Sequence, residues 1–344
     1  MRSEILKRAL LVSMCFVVFC CAVCAQETTG HVHAVIISGG MNKLMNHERY
    51  WNDCAFLYRT LRNEYHFPKH DITLLISDGG ESGRDMLLAN GSGFASSPAD
   101  LDGDGERDVW LPATLQQVEA TLTELATRLT ANDRLFLFLI DHGGSDDGLH
   151  SYAWLWGSER LYGSRLAQLL DVFHVASMGI VMGMCNSGGF MDDLCREHRV
   201  VVTSCTSSEQ SWACRDKPYD EFVYHWTCAI AGHDSDGNVI NADTDSNGLI
   251  SMTEAFDYAR QHDRREETPQ YYSVPAALGE GWTLSSSAID GILQNSQIAN
   301  GRIAQCYDLQ GRTIPIQVEA GRRKLKILNT KQSLGRSPII IIKP

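Results

Sequence analysis

Residues 179–190 read GIVMGMCNSGGF, and they indicate both the fold and the position of the candidate site. A short apolar run ends at Cys185 and is followed by a polar, glycine-rich turn. This pattern predicts a buried strand that delivers one thiol to the edge of a sheet. Residues 134–144, RLFLFLIDHGG, have the same form, with His142 at the end of the apolar run. We infer that two strands of one sheet each end in a reactive side chain followed by glycine.

The rest of the body alternates apolar strands with amphipathic helices. Strand patterns cover 31–38, 71–76, 134–140, 177–184 and 199–204, and helical patterns cover 46–64, 114–129, 162–173, 220–231 and 252–262. Strands that are apolar throughout are typical of parallel sheets, because helices cover both faces of such sheets. We therefore predict an α/β fold, a three-layer sandwich with a mostly parallel central sheet. Residues 77–108 form a long polar, glycine-rich loop between these elements.

The first 25 residues have the pattern of a targeting segment. Arg2, Lys7 and Arg8 precede an apolar run over residues 9–23, and small residues precede Gln26. This order is typical of a cleaved signal peptide and predicts a protein that is secreted or held at the cell surface. No other stretch has the roughly 18 apolar residues that a spanning helix needs, so we expect no membrane span after cleavage.

The composition changes after Trp282. Short β-like runs then cover 303–307, 313–318, 324–328 and 338–342, and they predict a small β-sandwich-like module. The sequence therefore suggests a signal peptide over 1–25, an α/β body over 26–284 and a C-terminal β module over 285–344.

Charge and cysteine content limit the partners and the disulfide bonds that are expected. The chain has a net charge of −12, although its last 44 residues are basic, so the body is strongly acidic. Such a body repels phosphates, and we expect no nucleic-acid partner. Seven cysteines follow the signal segment. Export favours disulfides, but an odd number leaves at least one thiol unpaired, and the pairing is open.

A cysteine nucleophile needs a base that takes its proton. His142 is the best candidate for Cys185, because imidazole titrates near neutral pH. Both residues are expected at the carboxyl edge of the sheet, where open α/β sheets hold their sites. The glycines that follow them allow close approach of a substrate and leave backbone amides that could hold a developing oxyanion.

The motifs DHGG at 141–144 and MCNSGG at 184–189 resemble the two catalytic motifs of legumain-type cysteine peptidases in the caspase-like group. The likeness covers about residues 33–226. It implies a caspase-like sandwich and a secreted endopeptidase that works through an acyl-enzyme. It further implies that His142 is the general base and acid, that Cys185 is the nucleophile, and that the Gly143 and Cys185 amides form the oxyanion hole.

The same resemblance suggests a substrate pocket. Arg49 and Asp220 stand where the family has an arginine and an aspartate, and together they offer donors and acceptors to a polar side chain. The family's glutamate two positions before the nucleophile is replaced by Gly183, which puts a preference for asparagine in doubt. The family's supporting asparagine corresponds to Asn46 or His47, and the sequence leaves both open.

Residues 243–254, DTDSNGLISMTE, match the twelve-residue EF-hand calcium loop, and a helix is predicted after them. The ligands expected from this match are Asp243, Asp245, Asn247, the carbonyl of Leu249, Ser251 and Glu254. A second candidate metal loop contains Asp100, Asp102, Asp104 and Asp108, but Leu111 stands where the glutamate is expected. We expect Ca²⁺ to be structural and expect no cofactor for catalysis.

The tail resembles the C-terminal sorting module of proteins exported by the type IX secretion system, on the motif CYDLQGRTI and the closing run SPIIIIKP. This implies secretion machinery as a partner, beside protein or peptide substrates. Two other functions stay open. A transpeptidase would use the same dyad with an amine as acceptor, and a non-catalytic calcium-dependent binding protein would retain only the fold.

Overall fold

The computed structural model describes residues 30–146, 148 and 150–285, together with the backbone of short strands between 306 and 342. The predicted signal peptide lies outside the described residues. Contacts divide the chain into two compact units, Met1–Leu284 and Ser285–Pro344. Among the described residues, no helix is both long and apolar enough to cross a membrane.

The first unit alternates strands and helices along the chain. Its elements are β1 (Val32–Ser38), α1 (Glu48–Asn63), β2 (Ile72–Ile76), β3 (Met86–Leu87), β4 (Phe94–Ala95), α2 (Leu115–Arg128), β5 (Arg134–Ile140), β6 (Gly143–Ser145), β7 (Ser151–Leu155), β8 (Glu159–Tyr162), α3 (Gly163–Leu170), β9 (Ser177–Gly183), α4 (Met191–Leu194), β10 (Arg199–Thr203), α5 (Glu221–Ala231), α6 (Met252–His262), β11 (Gln270–Ser273) and α7 (Ala276–Gly281).

Six of these strands form the central sheet, in the order β11-β10-β9-β5-β1-β2. All neighbours are parallel except β11, which runs antiparallel to β10. Helices α1, α5 and α6 pack on one face, and α2, α3 and α4 pack on the other. The prediction of an α/β sandwich with a mostly parallel sheet is confirmed, and the arrangement is consistent with a caspase-like sandwich.

Strand β5 shows why the sheet is covered on both faces. Phe136, Phe138 and Ile140 point into the core shared with α1 and α5. The intervening residues Leu135 and Leu137 point into the core shared with α2 and α3. Since both sets of side chains are apolar and fully buried, a continuous apolar run is the pattern this position requires.

Helix boundaries follow from capping. The Thr114 side chain accepts a hydrogen bond from the Gln117 amide at the start of α2. At the start of α6, Ser251 and Glu254 form a reciprocal capping box. Helix α6 therefore begins directly after the predicted calcium loop.

The sequence did not predict strands β6, β7 and β8, which form a small antiparallel sheet beside the central one. Gly143 and Gly144, expected in a turn, lie in strand β6 and pair with Ala153 and Tyr152. Two consecutive glycines carry no strand propensity, so only the partner strand determines this conformation. A side chain on Gly144 would place its Cβ 2.6 Å from the Tyr152 hydroxyl, so any larger residue fits here only if the Tyr152 ring shifts.

The second unit contains five short strands, β12 (Cys306–Tyr307), β13 (Thr313–Ile314), β14 (Ile316–Val318), β15 (Leu325–Ile327) and β16 (Ile341–Ile342). They form one sheet in the order β13-β12-β16 and a β14-β15 pair. The other residues of the predicted sorting module lie outside the described residues, and its assignment stays a prediction.

Candidate active site

The register of strands β5 and β9 brings the two candidate catalytic residues to one edge of the sheet. Ile140 pairs with Gly183 at the ends of these parallel strands. His142 and Cys185 each follow two residues later, so they leave adjacent strands at the same level. A side chain on Gly143 would place its Cβ 2.1 Å from the Cys185 carbonyl oxygen, which shows how closely the two segments pass.

The His142 imidazole is held by a backbone carbonyl and by aromatic neighbours. Its Nε2 lies 3.2 Å from the Met45 carbonyl oxygen, so this nitrogen is the one that carries the proton in the neutral ring. The rings of Tyr50 and His47 pack against it edge-on, each with centroids 5.3 Å away. Burial, with a smaller contribution from the Arg49 charge, lowers the pKa of His142 to about 4. The imidazole is therefore a neutral base at physiological pH.

The Cys185 thiol points toward the loop after β10. Its Sγ donates to the Ser211 carbonyl oxygen at 3.7 Å, and no hydrogen bond in the described part of the chain joins it to His142. Burial raises the pKa of Cys185 above that of a free thiol. The resting pair is thus a neutral thiol beside a neutral imidazole. Catalytic hydrogen bonds of this kind often tighten only when substrate is bound.

The turn after the nucleophile has a defined conformation. Asn186 adopts the left-handed region with φ 59°. Its amide donates to the Glu209 carbonyl at 2.8 Å, and its side chain donates to the Ser207 carbonyl at 2.7 Å. These two bonds from one residue fix the Cys185 backbone against the loop over residues 204–212.

Asp141, directly before the candidate base, is buried and organises the backbone rather than the imidazole ring. Its carboxylate accepts hydrogen bonds from the Gly40 amide at 2.5 Å and the His142 amide at 2.6 Å. Burial raises the pKa of Asp141 to about 8, although these amides oppose the shift. The residue ties the end of β1 to the end of β5 and so sets the position of His142.

The structure brings Arg49 and Asp220 together, as the pocket prediction expects. The Arg49 Nε lies 3.0 and 3.1 Å from the two Asp220 carboxylate oxygens. One terminal nitrogen of the guanidinium donates to the Tyr50 hydroxyl at 2.8 Å. The Asp220 amide is bound in turn by the Asp53 carboxylate, and burial raises the pKa of Asp53 well above its usual range. A cavity of about 650 Å³ extends from Arg49 between residues 87–91 and 213–218.

Gly183 lies in a tightly packed position. A side chain there would place its Cβ 2.4 Å from a Val223 methyl carbon and 2.8 Å from the Ile140 Cδ1. A glutamate therefore fits this site only if α5 or β5 moves. The packing of the sheet against α5 therefore favours glycine at position 183 over the glutamate that the resemblance predicts there.

The alternatives Asn46 and His47 have different surroundings. The Asn46 amide donates to the Ser77 hydroxyl at 2.9 Å and the Asp85 carbonyl at 3.1 Å, so it holds loops together. His47 contacts the His142 ring directly. Sequence reasoning missed the Met45 carbonyl that holds His142, because a backbone acceptor has no residue-type signature.

The predicted calcium loop draws three carboxylates together. Ligand oxygens of Asp243, Asp245 and Glu254 lie within 4.8 Å of one another. Oxygens that share one calcium ion at about 2.3–2.6 Å lie at most about 5 Å apart, so the three carboxylates fit such an ion. All of the expected side-chain ligands also have protein partners. Asn247 accepts from the Leu249 amide, Ser251 and Glu254 bond to each other in the capping box, and Asp243 and Asp245 accept from amides of the loop.

The second acidic loop is only partly assembled. Asp100, Asp102 and Asp108 form a cluster within 4.8 Å, but Asp104 is not part of it. Asp104 instead pairs with Lys69, whose ammonium nitrogen lies 2.8 Å from Asp104 and 3.1 Å from Asp108. A cation of the protein itself thus already offsets charge in this loop.

The described cysteine side chains are all free thiols, namely Cys54, Cys185, Cys195, Cys205, Cys214 and Cys228. The expectation that export favours disulfides therefore finds no bridge among these six. Cys185 is available for chemistry.

The fold and site define an α/β protein with a thiol and an imidazole at the carboxyl edge of its sheet. Residues 117–276 match the model of the Peptidase C13 family, and this range contains His142, Cys185 and Asp220. The part of the chain that carries the candidate dyad is therefore similar to cysteine peptidases of that family. A solved protein from Geobacter sulfurreducens, a structural-genomics target, aligns with 74% of this chain and 98% of its own at 12% identity and a TM-score of 0.44. No curated protein matches the chain.

Proposed function

We propose that this protein is a cysteine endopeptidase that hydrolyses peptide bonds with Cys185 as nucleophile and His142 as general base and acid. The observation that carries the proposal is the strand register, which puts both residues at one edge of the sheet. The similarity of residues 117–276 to the Peptidase C13 family supports the same chemistry.

The proposed reaction uses the neutral state of the pair. As Sγ attacks the substrate carbonyl carbon, the thiol proton passes to Nδ1 of His142, while the Met45 carbonyl holds the proton on Nε2. The imidazolium then gives its proton to the departing amine, which leaves a thioester on Cys185. His142 next takes a proton from water, which attacks the thioester and releases the carboxylic acid with a free thiol.

The Gly143 and Cys185 amides are the proposed oxyanion donors. The Trp154 amide donates a hydrogen bond to the His142 carbonyl, so His142 is one of the residues through which β6 and β7 are hydrogen-bonded. Because antiparallel strands bond at alternate residues, the amide of the next residue, Gly143, points away from β7. In this orientation the amide is proposed to donate to a substrate oxygen.

Arg49 and Asp220 are the proposed substrate-binding residues. Asp220 is 5% exposed, and both its oxygens face the Arg49 Nε. The Arg49 side chain is 21% exposed, so the guanidinium is the member that reaches the pocket. This favours a substrate side chain that accepts hydrogen bonds, such as an amide or carboxylate.

Calcium binding and export are separate parts of the proposal. Asp243, Asp245 and Glu254 are the residues that would hold Ca²⁺, which would stabilise the loop before α6. The signal-peptide pattern and the resemblance of the tail to a sorting module support a secreted or surface location. Protein or peptide substrates and the secretion machinery are the proposed partners.

A thiol-reactive peptidyl probe tests the central claim. An acyloxymethylketone peptide is expected to label Cys185, with labelling lost in Cys185→Ser and strongly reduced in His142→Ala. Cys195→Ser is the matched control, because Cys195 is a free, half-buried thiol at the C-terminal end of helix α4. Labelling that is independent of His142, or absent from a folded protein, would overturn the proposal.

A further inference from the structure

A pair of acidic side chains, Asp263 and Glu267, lies in the segment between α6 and β11. Glu267 Oε2 accepts a hydrogen bond from the Trp212 amide at 3.2 Å, and the Ser211 side chain is close enough to oppose the rise in the pKa of Glu267. Ser211 is the residue whose carbonyl accepts the hydrogen bond from Cys185. The segment therefore supports the part of the loop that contacts the nucleophile.

The remaining oxygens of the pair share one feature. Asp263 Oδ2 and Glu267 Oε1 are both shielded from solvent, and neither has a donor among the described groups. The two side chains are nevertheless within hydrogen-bonding reach of each other. Ionised carboxylates are acceptors only, so they can bond to each other only when one keeps its proton. One shared proton would satisfy both buried oxygens.

The charges around the pair favour this state. Glu221 is a third carboxylate close to Asp263, and a negative charge on Glu267 raises the pKa of both the Cys185 and the Cys205 thiol. Arg265 is the neighbouring cation. Its amide donates to Asp263 Oδ1 at 2.8 Å, and its guanidinium lies over the Trp212 ring at 4.9 Å. Glu221 has His225 as a partner, with 3.6 Å between His225 Nε2 and Glu221 Oε1, but burial lowers the pKa of His225 and favours the neutral ring. Arg265 can offset one negative charge in this group of carboxylates, and a second would stay uncompensated in a buried setting.

The pKa values agree with the geometry. Burial, and then the Asp263 charge, raise the pKa of Glu267 to about 9, while burial raises the pKa of Asp263 to about 6. Near pH 7 the pair therefore holds one proton between its two carboxyl groups. A carboxyl group whose pKa is raised by folding makes its full contribution to stability at pH values below the pKa that it has in the unfolded chain. This stabilisation is lost as the pH rises toward about 9, where Glu267 ionises in the folded protein.

We propose that Glu267 is a positioning residue for Cys185, which acts through Ser211 and Trp212 while it shares one proton with Asp263. The positioning role of Glu267 depends on the proposed peptidase function only where an effect on turnover is predicted. When the proton is lost, two adjacent buried carboxylates repel each other, and the segment that holds Trp212 moves from its place. The thiol then loses a fixed acceptor and its alignment with the substrate carbonyl.

Substitution of Glu267 by glutamine tests whether its hydrogen bonds, and not its charge, position the nucleophile. Glu267→Gln keeps a neutral side chain that can accept from Trp212 and donate to Asp263, whereas Glu267→Ala removes both bonds. We expect Glu267→Gln to keep kcat/KM within about twofold and Glu267→Ala to lower kcat about tenfold or more, with a smaller change in KM. Glu266→Gln is the matched control, because Glu266 is exposed and no hydrogen bond of its side chain is found in the described region.

The pH dependence of kcat/KM distinguishes the proposed role of Glu267 from a purely structural one, because a purely structural residue would not affect it. The wild-type protein is expected to lose kcat/KM above about pH 9, and Glu267→Gln is expected to remove that alkaline fall. An alkaline limb that is unchanged in Glu267→Gln, or an equal loss in Glu267→Gln and Glu267→Ala, would overturn the proposal.

Two further measurements need no peptidase activity. The infrared difference spectrum between the wild type and Glu267→Gln at pH 7 should contain the band of a protonated carboxyl group, because the bands of Asp141 and Asp53 are common to both proteins and cancel. A difference spectrum without this band would refute the shared proton. The alkylation rate of Cys185 by iodoacetamide should change in Glu267→Ala and be retained in Glu267→Gln. Equal rates in all variants would refute positioning, even if no peptide is cleaved.

Discussion

The Arg49 guanidinium and the Asp220 carboxylate form an ion pair that joins the first turn of α1 to the start of α5. Arg49 Nε is nearly equidistant from both carboxylate oxygens, and the Asp220 side chain is only 8% exposed. The Asp220 charge raises the pKa of the Cys185 thiol, and the Arg49 charge lowers it. The pair therefore connects packing of the helical layer with the electrostatics of the candidate site.

We expect Asp220→Asn to weaken both stability and substrate binding. Removal of one partner of a buried pair leaves the other charge poorly compensated and costs about 3–5 kcal/mol, less where the new side chain keeps a hydrogen bond. Chemical denaturation should show this loss, and peptide kinetics should show a raised KM. The control is Glu124→Gln, which breaks the exposed pair of Glu124 and Arg128 and should cost at most about 1 kcal/mol. Equal effects of the two substitutions would contradict a buried role for Asp220.

The acid limb of activity should lie well below the usual pKa of histidine. Burial lowers the pKa of His142 to about 4, so the imidazole stays a base down to that pH. We expect kcat/KM for a short peptide to stay high between about pH 6.5 and 4 and to fall only below that range. A fall centred near the ordinary histidine pKa would show that the ring is solvated or paired with a carboxylate in solution.

The strands and helices that carry the site could be predicted because their patterns are local. The apolar run of β5 and the amphipathic stripe of α1 each determine their own element, and the two reactive residues follow directly from where β5 and β9 end. The EF-hand spacing similarly places three carboxylates by chain geometry alone.

The missed features depend on distant partners. Strand β6 exists because β7 pairs with it, and the Met45 carbonyl reaches His142 only after α1 packs on the sheet. The carboxyl pair of Asp263 and Glu267 forms for the same reason, since neither residue stands in a recognisable motif. Asp104 was expected as a ligand in its loop, but it pairs with Lys69 from another segment and is not part of the carboxylate cluster.

Substitution of Gly183 tests whether packing excludes the glutamate found at this position in the family. A Cβ at Gly183 would lie 2.4 Å from Val223, so Gly183→Ala should destabilise the fold by about 1–3 kcal/mol. Adding Val223→Ala makes room and should restore part of that loss, as a double-mutant cycle would measure. Gly281→Ala is the control, because no atom lies within 4 Å of the added Cβ there. A neutral Gly183→Ala variant would show that α5 can shift freely.

Calcium should stabilise the protein through Asp243, Asp245 and Glu254. The Glu254 carboxylate accepts bonds from the Thr244 amide at 2.8 Å and the Ser251 amide at 2.9 Å, so it joins the two ends of the loop. An ion that binds only the folded state at 100 times its Kd adds about 2.7 kcal/mol, which thermal unfolding with calcium and with chelator would reveal as a difference in Tm. Asp243→Ala should remove this difference, and Asp257→Ala, an exposed acid on α6, should leave it intact. If the curves with calcium and with chelator coincide for the wild-type protein, then the three carboxylates are a solvated acidic loop and no ion contributes to the fold.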